Sequence, residues 1–205
     1  MTLERDPDYP ALRHVGGLDV TLSYMSSVDA DSVLRFAKGL EEHDLLFLRR
    51  DITQLDALED WLRDIEAGDA LSILAKRGGE VIGYGTLHRE SLSWSAHVAE
   101  LRVLVAADFR GKGLGRVLTQ EAFKAALRSG IEKMVARMTL DQKGAIATFE
   151  SLGFRPEALL KDHVKDRQGT PHDLVMMSHR VADFERTLES YGVSEALGEG
   201  AGSRP

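Results

Sequence analysis

Cysteine is absent from the 205 residues, which excludes disulfides, thiolate nucleophiles and sulfur-bound metals. No apolar run approaches the ~20 residues that span a bilayer. The opening stretch, MTLERDPDYP, carries three acidic residues and no apolar core of its own, so it lacks the pattern of a secretory leader. Positive charge is also in deficit. The 26 lysines and arginines against 33 aspartates and glutamates leave a net charge of −7, which opposes binding to nucleic acid or to an anionic membrane surface. None of the seven histidines has metal-ligand spacing, so no metal is expected. What remains, 43% hydrophobic and 29% charged, is the composition of a soluble globular protein, with the cytoplasm as its expected location.

Against that acidic background, residues 109–118, FRGKGLGRVL, place Arg110, Lys112 and Arg116 among Gly111, Gly113 and Gly115. Glycine loses more freedom on folding than any other residue, so three at alternate positions imply a task for the backbone itself. Local positive charge beside free backbone N–H groups suits a small anionic ligand.

The pattern around this stretch alternates strands and helices. LDVTLSYM (18–25) is β-rich. A helix follows, with Asp29 or Asp31 as N-cap and Leu34, Ala37 and Leu40 inward. A second starts near Thr53, with Leu55, Leu58, Leu62 and Ile65 at helical spacing and Gly68 as its stop. LSILAKRGGEVIGYGTLH reads as two strands around a Gly-Gly turn, and AHVAELRVLVA (96–106) as a third. Residues 113–129 form an amphipathic helix with Leu114, Leu118, Ala122 and Ala125 on one face and Gly130 at its end. IEKMVARM is strand-like, and DQKGAIATFESLG is a helix burying Ala145, Ile146, Phe149 and Leu152. Two strands flank the polar turn KDRQGTPHD. The expected organisation is an N-terminal extension over 1–15, one α/β domain over 16–181 and an acidic tail over 182–205. The last dozen residues are too poor in apolar surface to order themselves.

The glycine stretch fits neither common nucleotide loop. A P-loop needs Ser or Thr after its Gly-Lys, and a dinucleotide fingerprint needs a third glycine where this chain has Arg116. Arg110, Gly113 and Gly115 do satisfy Arg/Gln-x-x-Gly-x-Gly/Ala between a strand and a helix. In this the chain resembles the GNAT superfamily of N-acetyltransferases, whose acyl-CoA loop has that form. The alternating Leu101, Val103 and Val105 before the loop, and AIATFESLGF after it, resemble the flanking elements of that family.

The resemblance implies a mixed, mostly antiparallel α/β (α+β) sheet of about six to seven strands with helices on both faces. It implies acetyl-CoA as co-substrate, held by Val103, Leu104, Val105, Arg110, Gly111, Lys112, Gly113, Leu114, Gly115 and Arg116, with Gln142 and Phe149 beyond. The reaction is acetyl transfer to a primary amine. An ordinary amine titrates near 10.4, so roughly four molecules in ten thousand are neutral at pH 7, a deficit of about 4.6 kcal/mol. A base is therefore valuable. AELRVLV is similar to the acetyltransferase domain of bacterial protein lysine acetyltransferases, in which the glutamate matching Glu100 is the general base. Other relatives place it one residue earlier, at Ala99, and a β-bulge is expected to reconcile the two registers. Relatives carry Tyr at Phe149 and Asn at Gln142, which leaves the general acid unassigned. His97, His163 and His172 are alternative bases. The acceptor is expected to be a protein lysine, with a small amine as the alternative and a non-catalytic acyl-CoA sensor as the rival of another kind. A homodimer is compatible with all three.

Overall fold

The computed structural model describes residues 2–183 apart from Phe47. In chain order the elements are β1 (Ala11–Val15), β2 (Leu18–Tyr24), α1 (Ala30–Lys38), α2 (Glu42–Leu45), α3 (Leu55–Ala67), β3 (Ala70–Arg77), β4 (Glu80–His88), β5 (Val98–Val105), α4 (Leu114–Arg128), β6 (Lys133–Thr139), α5 (Lys143–Ser151), β7 (Arg155–Lys165) and β8 (Pro171–Arg180). The strands form one sheet in the order β1-β2-β3-β4-β5-β6-β8-β7. Every neighbouring pair is antiparallel except β5 and β6.

The eight strands exceed the expected six to seven because Ala11–Val15 joins the sheet. Its period was hidden: Ala11 and Val15 point inward while Leu12, between them, is exposed. The segment before it is also packed. Leu3 is buried and its N–H bonds the Gly68 carbonyl. The Asp6 carboxylate meets Arg128, and Tyr9 donates to Glu121. The expected disordered tail lies outside the described residues.

Two apolar cores sandwich the sheet. On one face, Val33, Phe36 and Ala37 of α1 and Leu58, Trp61 and Ile65 of α3 pack on Leu74, Val81, Tyr84 and Leu104. The inward stripe of α1 is thus rotated from the expected Leu34 and Leu40, which are only half-buried. On the other face, Leu114, Leu118, Ala122 and Ala125 of α4, with Phe149 of α5, cover Leu71, Ile73, Leu87, Ala99 and Leu101. Gly85 lets α4 approach closely, since a Cβ there lies 3.3 Å from the Leu118 carbonyl oxygen. Ala145, expected inward, is exposed at the start of α5.

The register of β5 is unbroken against β4, from Gly83↔Val105 to His88↔Glu100. The bulge expected near Ala99 is therefore absent. The irregularity lies one strand away, where Ile82 is an extra residue in β4 opposite Ala75 and Lys76. Strict alternation then puts Ala99 in the core beneath α4 and Glu100 on the opposite face, beneath α3.

The turn between β1 and β2 connects fold to site. Gly16 has φ +56°, and a Cβ on it falls 2.3 Å from the Lys112 carbonyl oxygen, inside the glycine stretch. Gly17 has φ +77° but faces open space. Both alanine variants incur the left-handed backbone cost of about 1–2 kcal/mol. Gly16→Ala also has to displace the backbone of the loop. Chemical denaturation is expected to show a larger loss for Gly16→Ala than for Gly17→Ala. Equal losses contradict the buttressing contact.

Candidate active site

β5 pairs with β6 only from Val98↔Lys133 to Glu100↔Val135. Beyond that point β5 stays with β4 and β6 stays with β8, so the two parallel strands part. The His97 carbonyl accepts the Lys133 N–H on the β6 side, and the Ala106 N–H bonds Ile82 on the β4 side. Alternation between these ends turns the backbone groups of Leu101, Val103 and Val105 toward β6; the Leu101 N–H is still paired with Val135, and the Leu101 carbonyl, both groups of Val103 and the Val105 N–H face the gap. The gap opens into a cleft of about 610 Å³.

The closed end of the cleft is apolar, with Leu101, Val103, Ala136, Met138 and Phe149 in its walls. Its far end is built by two helix starts. Gly113, with φ +85°, is the N-cap of α4, and Gln142 is the N-cap of α5. Gly111, Gly113, Gly115 and Arg116 line the cleft from one side, and Gln142, Lys143 and Gly144 from the other. Neither first turn contains an acidic residue. Two positive helix ends thus converge on one space, which suits an anion. The Gln142 Oε1 is buried there without a partner.

Of the residues expected to hold acetyl-CoA, the cleft is lined by Val103, Leu104, Val105, Arg110, Gly111, Gly113, Leu114, Gly115, Arg116, Gln142 and Phe149. Lys112 is turned away. Its Nζ donates to the Asp108 carbonyl and sits over the Phe109 ring. Arg110 is engaged as well, donating through Nε to the Val105 carbonyl at 3.0 Å and pairing with Asp44 of α2. Asp44, Arg102, Arg137 and Asp141 also line the cleft and were not expected. A pointer existed for the α5 start alone, in the glycine of DQKG beside a basic residue. Burial pushes the Asp141 carboxyl up, but the Thr139 hydroxyl and His43 hold it below the ordinary range.

Glu100 lies at the point where the strands part, 8% exposed, on the face beneath α3. Its Oε1 accepts from the Arg102 Nη2 at 2.8 Å and lies 3.8 Å from the Arg137 Nη1. Both cationic contacts fall on the same oxygen. The other expected bases are not brought to the cleft. His97 and His163 are exposed, and His172 is bound to Asp166 at 3.0 Å. Among the described residues lining the cleft there is no histidine or tyrosine. Phe149 packs edge-on against Phe154 as a core ring.

Across β4 from Glu100 stands His88, a residue that sequence reasoning did not single out. Its Nδ1 faces the Arg49 Nη1 at 2.9 Å, and its Nε2 lies 3.3 Å from the Asp64 Oδ2. Burial, with Arg49 beside it, holds the imidazole below its usual pKa despite Asp64. The contact with Asp64 is thus a hydrogen bond from a neutral ring rather than an ion pair.

A sequence model of the Acetyltransferase (GNAT) family matches residues 38–154, more than half of the chain. The chain belongs to the GNAT acetyltransferase family. Mycothiol acetyltransferase of Streptomyces coelicolor is 33% identical over 82 residues, covering 40% of this chain and 26% of that protein. The match thus spans about a quarter of that relative. The GNAT domain of S. lividans PAT superposes with a TM-score of 0.71 at 16% identity, covering 86% of this chain and 99% of that one. Spermidine N-acetyltransferase from Vibrio cholerae, solved with CoA and spermine, superposes with a TM-score of 0.68 at 17% identity, covering 81% and 98%. The structural likenesses establish the GNAT fold. No described helix is long and apolar enough to cross a membrane.

The depressed His88 and His179 set the acid side of the stability profile. Below about pH 6.5 the unfolded chain takes up protons that the folded rings refuse, so stability falls as pH falls toward 5. The lowered carboxylates act only further down, near their own range. His88→Gln is expected to flatten the slope below pH 6.5, by at most about 1.4 kcal/mol per pH unit. Denaturation midpoints across that window test this, and an unchanged slope contradicts the buried neutral imidazole.

Proposed function

We propose that the protein transfers the acetyl group of acetyl-CoA to a primary amine, with Glu100 as general base. The observation that carries this reading is the coincidence of three features at one cleft. These are the β5 edge beyond the Leu101 N–H, which has no strand partner, the two converging helix starts, and Glu100, which does not line the cleft itself but stands where the strands part, bound to Arg102, which does.

In this reading the pyrophosphate lies on the N–H groups of 113–116, where glycine leaves the backbone exposed and the α4 dipole adds its charge. The pantetheine arm pairs as a short extra strand with Val103 and Val105. Gln142 supplies its orphaned Oε1 to an amide N–H of the same arm. The bound co-substrate supplies a thioester carbonyl at the closed end. Glu100 receives the proton of the acceptor ammonium through Oε2, the oxygen that Arg102 and Arg137 leave unoccupied. The neutral amine nitrogen then bonds to the acyl carbon as the carbon–sulfur bond breaks. A thiol titrates near 8.5, so the sulfur leaves as thiolate and takes its proton from solvent. Phe149 needs no donor for this.

The acceptor is a primary amine on a protein lysine or on a small molecule. The similarity of AELRVLV to protein lysine acetyltransferases supports the first. The polar groups beneath α3 support the second, because Asp64, Thr86, His88 and Arg102 line a small hollow there.

Glu100→Gln keeps the shape and loses the base. The rate is expected to fall by about 10²–10⁴ with CoA affinity close to wild type. Residual activity should climb with pH toward the pKa of the acceptor amine, whereas the wild-type rate levels off at lower pH. Steady-state rates with calorimetry of CoA binding test this. A variant within threefold of wild type at neutral pH, or a loss matched by weaker CoA binding, contradicts the assignment.

A further inference from the structure

The cleft passes through the sheet where β5 and β6 part. Ala136 and Met138 of β6 point into the core beneath α4 and α5, as does Leu101 of β5. Arg137, between Ala136 and Met138, therefore points to the opposite face, and Arg102 does the same on β5. All five line the cleft. Arg137 comes two residues after Val135, the last residue of β6 that pairs with β5, so it stands where the gap begins. The two strands are parallel, and from there both run toward the helix starts that end the cleft. About 17 Å of strand separates Glu100 from Val105, at ~3.3 Å per residue.

Arg137 is short of partners. Its side chain is 38% exposed, and its Nε is buried without a hydrogen bond. Its ion pair among the described residues is with the Glu100 Oε1, 3.8 Å from Nη1 and beyond hydrogen-bond reach. Arg102 already holds that same oxygen at 2.8 Å. The other arginines of the cleft are engaged. Arg110 meets Asp44 and the Val105 carbonyl, and Arg116 donates to the Ser151 hydroxyl. Arg137 thus brings to the cleft a charge that one shared carboxylate oxygen offsets only in part. The same end of the cleft lacks a proton donor for a leaving group. No histidine or tyrosine lines it among the described residues, and Phe149 is a core ring.

We propose that Arg137 is a catalytic residue whose guanidinium meets the sulfur of acetyl-CoA and holds the negative charge that the sulfur takes as it leaves. The proposal rests on the acetyl-transfer reading of the cleft. A molecule with its pyrophosphate at the two helix starts has its thioester at the opposite end of the gap, which is where Arg137 stands. When the amine nitrogen bonds to the acyl carbon, the electron pair of the broken carbon–sulfur bond goes to sulfur. The proton of the acceptor ammonium is by then on Glu100. A guanidinium stays protonated at any working pH, so Arg137 offsets charge and gives up no proton. The thiolate takes its proton from solvent. A cation already in place costs no reorganisation at the moment the charge develops.

The test is the titration of the CoA thiol in the bound state, which needs neither acceptor nor turnover. Calorimetry gives the affinities of CoA and of desulfo-CoA, which has no thiol, across the neutral and alkaline range. Their ratio cancels every protein group that acts on both ligands alike. Arg137 favours the bound thiolate, so the thiol titrates lower when bound than when free. The ratio then rises in favour of CoA as pH rises between those two values. A rise of tenfold or more is expected in the wild type. In Arg137→Gln or Arg137→Met, either of which suffices, it should shrink to less than threefold, with desulfo-CoA bound as in the wild type. A flat wild-type ratio overturns the proposal. So does a rise that survives in the variants, which leaves Arg137 as a counter-ion of Glu100 alone. Transfer itself is measured separately with acetyl-CoA. A rising ratio without any acetylated amine upholds the contact with sulfur and removes the acetyl-transfer reading, whereas transfer with a flat ratio does the reverse.

Discussion

A β-strand that loses its neighbour keeps its hydrogen-bonding groups, and this protein is organised around one such loss. β5 and β6 pair for three residues and then separate, each held by its other neighbour. Unpaired backbone inside a protein demands a partner. Here the exposed edge faces a cleft lined by apolar side chains and ended by two helix starts. A ligand with amide groups along its length and negative charge at one end answers both demands. The chemistry of acetyl-CoA follows from the split in the sheet, and the side chains refine it.

The rest of the fold keeps that split in place. α4 is pinned close to β4 because Gly85 has no side chain, so its N-terminus is fixed relative to β5. The turn at Gly16 presses on the backbone of Lys112 from the opposite side. Asp44 of α2 holds Arg110 at the rim. Beneath α3 the cross-strand rows of β4 and β5 carry polar groups where a core would carry apolar ones. Trp61 donates to Ser72, which in turn contacts Thr86, the neighbour of Arg102 across the strands.

The glycine stretch, the strand before it and the helices after it could be read from the chain, because glycine spacing and apolar period are local signals. Three features were not local. β1 was hidden because Leu12 breaks its alternation, and only pairing with β2 defines it. The expected bulge at Ala99 was inferred to reconcile two registers for the glutamate, whereas the unbroken β4–β5 register leaves Glu100 on the face opposite Ala99. The cross-strand neighbours of Glu100, His88 of β4 and Arg137 of β6, lie far from it in sequence, so they acquire meaning only in three dimensions. The net charge of −7 says nothing about where charges gather, and in the fold two arginines, Arg102 and Arg137, meet Glu100.

The account stands most directly on the β5 edge, and residue-resolved amide hydrogen exchange measures it. On adding CoA, the Val103 and Val105 amides should gain protection, with 113–116 following at the start of α4. The amides of Leu101, already paired with β6, and of Arg102 and Leu104, which face β4, should change little. Saturating CoA that leaves the 103–105 edge exchanging as in the free protein contradicts the account, whatever happens elsewhere in the chain.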